Sequence, residues 1–191
     1  MAEKYRCEWC LKHPDYIAYH DIEWWNPMHD ESKHFEMLLL ETMQAGLSRW
    51  TILQRREHYR KAFAKFDPKK VAKFDENKVE ELMQNAWIIR NQAKIRAAIK
   101  NAQEFLKIQK EFWSFDSYIW WFTKGKVVDN KLSDRSQFIA TSPLSDAVAK
   151  DLKKRWFSFV WSTTIYAHLQ AIGVINDHMV KCFRYKEVKK K

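Results

Sequence analysis

The chain has 191 residues and a formal net charge of +10, with 46% hydrophobic and 30% charged residues. That length accommodates one domain with a substantial core; no apolar run approaches the ~20 residues of a membrane-spanning helix, and three cysteines are too few for a disulfide scaffold. The basic balance favours a polyanion, most simply nucleic acid, and with no targeting segment recognisable the expected location is the cytoplasm.

Helical periodicity dominates the chain. Asp30 can cap a helix that runs through Glu41 to Ala45, and apolar residues at helical spacing continue over 49–66. Asp67-Pro68 opens a short helix, because proline is tolerated in a first turn. Asp75 can cap the next, which holds Val79, Leu82 and Met83. Residues 93–112 form a long amphipathic helix with Ile95, Ala98, Ile99, Ala102, Phe105 and Leu106 on one stripe. Residues 124–143 read as a loop. Ser142-Pro143 then starts a helix to about Arg155, and Ser162 starts another to about Gly173. No repeat or linker divides the chain. The pattern predicts an all-α fold, a single helical domain over 1–185, followed by a basic, disordered tail at 186–191.

Three groups of residues carry chemistry. Cys7 and His20 lie near one end, and His178 and Cys182, spaced i and i+4, lie near the other. Nitrogen and sulfur ligands of that number suit a closed tetrahedral zinc site, which would join the N- and C-terminal segments. Spacing alone also allows a knuckle or redox pair at Cys7 and Cys10, or unrelated thiols and surface histidines. Glu41 follows Met37 and Leu38 and precedes Ala45, so its carboxylate points along an apolar helix face, where an unpaired charge is expensive. A salt-bridged or merely edge-exposed glutamate fits the same pattern. Residues 151–162 read as two helices joined by a short turn, with Lys153-Lys154-Arg155 before it and Ser162-Thr163-Thr164 after it. That arrangement serves either as a surface αα-hairpin or as a helix-hairpin-helix gripping phosphate. His13, His29, His34, His58 and His168 have no comparable context and read as ordinary.

Several blocks along the chain are recognisable together. Arg6-Cys7-Glu8-Trp9, Tyr16-Ile17-Ala18-Tyr19-His20-Asp21, Glu23-Trp24, Leu40-Glu41, Gln44-Ala45-Gly46-Leu47-Ser48, Ile88-Ile89-Arg90-Asn91 and Asn176-Asp177-His178 with Cys182 occur in order over nearly the whole length. In this the chain resembles the bacterial 3-methyladenine DNA glycosylase I family. The resemblance implies an enzyme that flips 3-methyladenine out of alkylated double-stranded DNA and hydrolyses its N-glycosidic bond. It implies a structural zinc on Cys7, His20, His178 and Cys182. Glu41 and Tyr19 take catalytic roles on this reading, and Trp9, Trp24, Glu41 and Arg49 line the base site. Gly46, Leu47, Lys154, Arg155, Ser162 and Thr163 meet DNA, with Leu47 filling the gap left by the flipped base. No lysine nucleophile is apparent, so an abasic site without strand cleavage is expected, from a monomer. The alternative is a zinc-stabilised helical module that binds DNA or senses lesions without excision. A metal-dependent hydrolase is disfavoured, because four protein ligands leave zinc no open position.

The chain departs from the family pattern in two ways. Where tryptophan usually follows Leu-Ser, it has Arg49 and then Trp50. Neighbouring helical residues point about 100° apart, so Trp50 does not inherit the stacking place. The chain also has ten tryptophans and only three glycines, against about 13 glycines at average usage. Trp25, Trp87, Trp113, Trp121, Trp156 and Trp161 stand where the family commonly has glycine. We read these six as glycine codons translated as tryptophan, the pattern left when a source that reads UGA as glycine is decoded with another code; deliberate substitution and genuine divergence are the rival readings.

Overall fold

Helices begin where a side-chain oxygen can accept the first free amide N–H groups. The computed structural model describes residues 4–188. Helix α1 (Pro14–Ile22) has proline in its first turn, and α2 (Glu31–Gln44) starts at Asp30, whose carboxylate accepts from the Ser32 amide at 2.9 Å. Ser48 caps α3 (Arg49–Leu53), and α4 (Arg56–Ala62) follows. Asp67 caps α5 (Pro68–Val71), Asp75 caps α6 (Glu76–Gln84) and Asn91 caps α7 (Gln92–Phe112). Ser114 and Ser142 cap α8 (Phe115–Trp121) and α9 (Pro143–Lys154); α10 (Ser162–Ala171) and α11 (Phe183–Val188) complete the helices.

Helix α2 forms the centre and packs against α3, α7, α8 and α10. Phe35, Leu38, Leu39 and Met43 bury its sides, and α7 contributes the expected stripe of Ile95, Ala98, Ile99, Ala102 and Phe105. Glu36, buried on α2, accepts from Arg56 and Arg60 of α4, both at 2.8 Å. That pairing fixes α4 to α2, and with it the short α3 between them. Helix α10 lies against both α9 and α2.

The structure corrects four expectations. The helix expected over 49–66 is broken after Leu53, and residues 64–66 form a tight turn in which Ala64, Lys65 and Phe66 all have positive φ. The fold is mostly helical rather than purely so. Within the expected loop, β1 (Val128–Asp129) pairs in parallel with β2 (Ile175–Asn176), a ladder too short to leave a period-two signature. Residues 186–188 of the expected tail are helical, since α11 continues to Val188 and buries it; residues 189–191 lie outside the described residues. Two of the histidines read as ordinary, His34 and His168, are fully buried.

Among the described residues His168 has no hydrogen-bond partner on either ring nitrogen, whereas His34 Nε2 meets Asp116 at 2.8 Å. Burial, aided by nearby His34, pushes the His168 imidazole down from 6.5 to about 3. Below about pH 6.5 the unfolded chain therefore takes up a proton that the folded chain refuses. The contribution is fully present above that pH and is lost as pH falls toward 3, by up to ~1.4 kcal/mol per unit. Urea unfolding between pH 7 and 4 should show a steeper loss for the parent than for His168→Phe. Identical slopes would rule out this histidine as the cause.

Three of the six suspect tryptophans adopt left-handed backbone: Trp25 at φ 59°, Trp113 at 71° and Trp156 at 69°. A bulky side chain is a rare occupant of that region, which glycine enters freely.

Candidate active site and metal centre

Aromatic residues from the N-terminal segment gather on one side of α1. Trp9 lies in a 3-10 turn (Glu8–Cys10), Tyr16 and Tyr19 share a face of α1, and Trp24 follows the helix. The Trp9 ring is 4.8 Å from Tyr16 and 6.1 Å from Trp24, and Tyr19 is 5.5 Å from Trp24. Trp9, Tyr16, Trp24 and Trp25 wall a cavity of about 330 Å³, with Arg49 and Gln170 also on its surface. Such a volume falls within the range of small-molecule sites.

Glu41 is buried on α2, as its place on the apolar face implies. Its Oε1 accepts from Arg49 Nη1 at 2.7 Å, and its Oε2 has no partner among the described residues. Burial raises the carboxyl's pKa; the Arg49 charge and hydrogen bond oppose this without cancelling it. The Arg49 guanidinium also lies over Trp24, 3.7 Å from the ring centroid, and its side chain is only 14% exposed. Glu41 and Tyr19 sit behind Arg49 in a recess of about 10 Å³, so neither faces the open cavity. Trp50 turns elsewhere and stacks on His13 at 4.1 Å.

The residues read as DNA-facing fall in two places. Gly46 has φ 77° and Leu47 is exposed at the turn between α2 and α3. Lys94 of α7, which sequence reasoning missed, donates to the carbonyls of Met43 at 2.9 Å and of Ala45, holding that turn in place. At the second place, residues 155–161 join α9 to α10. Lys154 and Thr163 are exposed, and Ser162 Oγ lies 2.8 Å from Ser145 Oγ. Trp161 offers no side-chain cap to α10, whose first amides are left for an anion or solvent. Arg155 is not free for phosphate. It donates to Glu111 at 2.6 Å and to Asp151 at 2.7 Å.

Cys7, His20, His178 and Cys182 converge: their ligand atoms all lie within 4.8 Å of one another, and all four residues are buried. Sulfur and ring nitrogen are 3.7 Å apart for Cys7–His178 and 3.6 Å apart for both Cys182–His20 and Cys182–His178. A tetrahedron with metal–sulfur and metal–nitrogen bonds of zinc length has a mixed edge of about 3.6 Å. The donor set and its spacing therefore fit a metal ion. Hydrogen bonds from Cys7 and the two histidines hold Cys182 toward its thiolate, an anion that a bound cation would satisfy. His20 turns its other nitrogen to Asp21 at 2.8 Å, and Arg6 holds Asp21 at 2.9 Å, an outer support typical of a ligating histidine. Cys10 stands outside the set. Its thiol donates to the Cys7 carbonyl at 3.0 Å, and burial pushes it up to about 11.

Asp177 links the two sites. It accepts from Tyr166 and Gln170 of α10 and from Asn130, each at 2.7 Å, and thereby sets the approach to His178. Sequence reasoning singled out neither Asp177 nor Tyr16 for a role of its own. Tyr16 was detectable from its three-residue spacing to Tyr19, but nothing local marks Asp177 or Lys94.

Comparison with known proteins gives the family of the chain. A family model described as methyladenine glycosylase matches residues 9–185. The chain is 44% identical over 180 residues to DNA-3-methyladenine glycosylase 1 of Escherichia coli strain K12, covering 94% of this chain and 96% of that protein. A crystal structure of 3-methyladenine DNA glycosylase I superposes with a TM-score of 0.91 at 45% identity, covering 94% and 98% of the two chains. A Staphylococcus aureus 3-methyladenine DNA glycosylase I, solved for the structural basis of 3-methyladenine recognition, gives 0.90 at 34% identity over 93% and 95%. With a family model over most of its length and relatives this similar, the chain belongs to the methyladenine glycosylase family.

Proposed function

We propose that the protein is a DNA-3-methyladenine glycosylase, which flips the alkylated base from double-stranded DNA and hydrolyses its N-glycosidic bond. The observation that carries the reading is a buried carboxylate, Glu41, behind an aromatic-walled cavity in a chain whose relatives act under that name. Methylation at N3 places positive charge on the base while it is attached to deoxyribose. Electron-rich faces of Trp9 and Trp24 attract that cation, and Glu41 offers it a counter-charge. When the bond breaks, the base leaves with the bonding pair as a neutral molecule, and water adds to the sugar carbon. Positioning and charge recognition then supply much of the rate. Tyr19, packed beside Trp24 and Glu41, acts as a positioning wall of the recess. With no lysine nucleophile in the pocket, the product is an abasic site in an uncut strand.

Leu47 on its exposed turn is suited to fill the gap in the duplex. The α9–α10 hairpin, with Lys154, Ser162 and Thr163, is suited to grip the backbone as a helix-hairpin-helix. Arg155 contributes to that grip by bracing α9 against α7 rather than by touching phosphate. We assign zinc to the four-ligand centre, in a structural role, since all four positions of a tetrahedron are taken by protein. No helix among the described residues is long and apolar enough to cross a membrane. A cytoplasmic monomer with reduced thiols accords with this reading.

Release of free 3-methyladenine from methylated DNA tests the activity. Release confirms the enzyme, and its absence from folded, metal-loaded protein would leave the non-catalytic DNA-binding module. The resident Arg49–Glu41 pair is the observation that favours that second reading. For the metal, elemental analysis is expected to find one zinc per chain. Cys182→Ala is expected to lower the thermal midpoint by about 10 °C, as loss of a few kcal/mol predicts for a domain of this size. An unchanged midpoint would remove the structural role.

A further inference from the structure

The place where a flipped base would meet Glu41 is filled by the protein itself. The Arg49 guanidinium covers the face of Trp24 at 3.7 Å and donates to Glu41 at 2.7 Å. It is the part of the molecule that lines both the open cavity of about 330 Å³ and the small recess holding Glu41. A guanidinium is planar and carries delocalised positive charge, as does adenine methylated at N3 in its nucleoside. Arg49 opens α3, a five-residue helix that follows the exposed turn through Gly46, Leu47 and Ser48, so its backbone sits beside the most open part of the site. Neither the stack on Trp24 nor the ion pair with Glu41 involves a suspect tryptophan, although Trp25 is part of the open cavity's wall.

We propose that Arg49 is a latch: it holds Glu41 in a resident ion pair, and an alkylated base enters the recognition site only by displacing it. This rests on the glycosylase reading of the same site. Displacement leaves Glu41 buried without its partner, a state that is costly unless the incoming group restores a positive charge. A cationic base does so and neutral adenine does not. The latch therefore rejects the undamaged bases that a basic protein sliding along DNA meets in excess, and in exchange it weakens binding of the substrate.

The test is steady-state release of 3-methyladenine from methylated DNA by the parent, Arg49→Ala and Arg49→Gln, with direct binding of free 3-methyladenine followed by tryptophan fluorescence. The glutamine variant keeps side-chain length and packing should alanine prevent folding. Removal of the latch is expected to lower the Kd for the free base by tenfold or more and to lower KM by more than it changes kcat, whereas Arg49→Lys, which keeps the charge but loses the planar stack on Trp24, falls between the parent and the neutral variants. A merely structural arginine would not separate KM from kcat in this way. Unchanged or weaker binding in both neutral variants, with the parent active, overturns the latch and leaves the glycosylase standing. If folded parent and variants neither bind nor release the base, the glycosylase reading falls and the latch with it.

Discussion

Glu41→Gln should abolish practical release of 3-methyladenine, lowering kcat/KM on the order of 100-fold or more. The side chain is buried on α2 and its pKa is raised by that burial, so the protein already bears the cost of desolvating this carboxyl. Glutamine keeps the shape and can still accept from Arg49 through its amide oxygen, but it cannot answer a positive charge. The loss should fall on capture of the flipped cation, hence on kcat/KM, while circular dichroism remains that of the parent. An active Glu41→Gln protein would leave the enzyme but remove Glu41 from the centre of its site.

The second large effect concerns stability. Trp113→Gly and Trp156→Gly should each stabilise the fold by about 1–2 kcal/mol, the cost of holding a side-chain-bearing residue in left-handed backbone. Little burial is lost in either case, since these indoles are 94% and 68% exposed. Trp25→Gly is different in kind. That indole is buried, packs 4.3 Å from His178 and leaves its Nε1 without a partner among the described residues, so its removal relieves strain while widening the cavity beside Trp24.

Nine of the ten tryptophans sort by exposure, and Trp25, the sixth suspect, is the exception at 1% exposed. Trp87, Trp113, Trp121, Trp156 and Trp161 are all at least 59% exposed, whereas Trp9, Trp24, Trp50 and Trp120 are buried or half-buried. A misread glycine codon would account for the exposure of five of the six suspects and for the positive φ of three, Trp25, Trp113 and Trp156. The gene is expected to carry UGA at the six positions and UGG at the other four. UGG at all ten would end that account, and thermal melts of the two exposed variants would then decide the strain argument alone.

What the sequence disclosed was what residue type and spacing encode. Asp30, Asp75 and Ser142 marked helix starts because a side-chain oxygen beside an apolar run has one local use. The break after Leu53 had no such marker. Gln54 and Arg55 are good helix formers, and packing overrides them so that both Ile52 and Tyr59 reach the core. In the site, cysteine, histidine and tryptophan announced themselves by type. The Arg49–Glu41 pair did not, because it spans the turn from α2 into α3, whose direction is set by tertiary contacts such as Lys94 with the Met43 carbonyl.

The metal centre also bears on how the protein is made. Cys7 and His178 are separated by 171 positions along the chain, and Cys182 follows later still. During translation the first two ligands leave the ribosome early and wait, reduced and unpaired, until nearly all the rest has been synthesised. A chain released early, at any codon before Cys182, presents an incomplete centre. An ion held by this group would tie the two ends together, and would therefore distinguish chains that include Cys182 from chains that stop short of it.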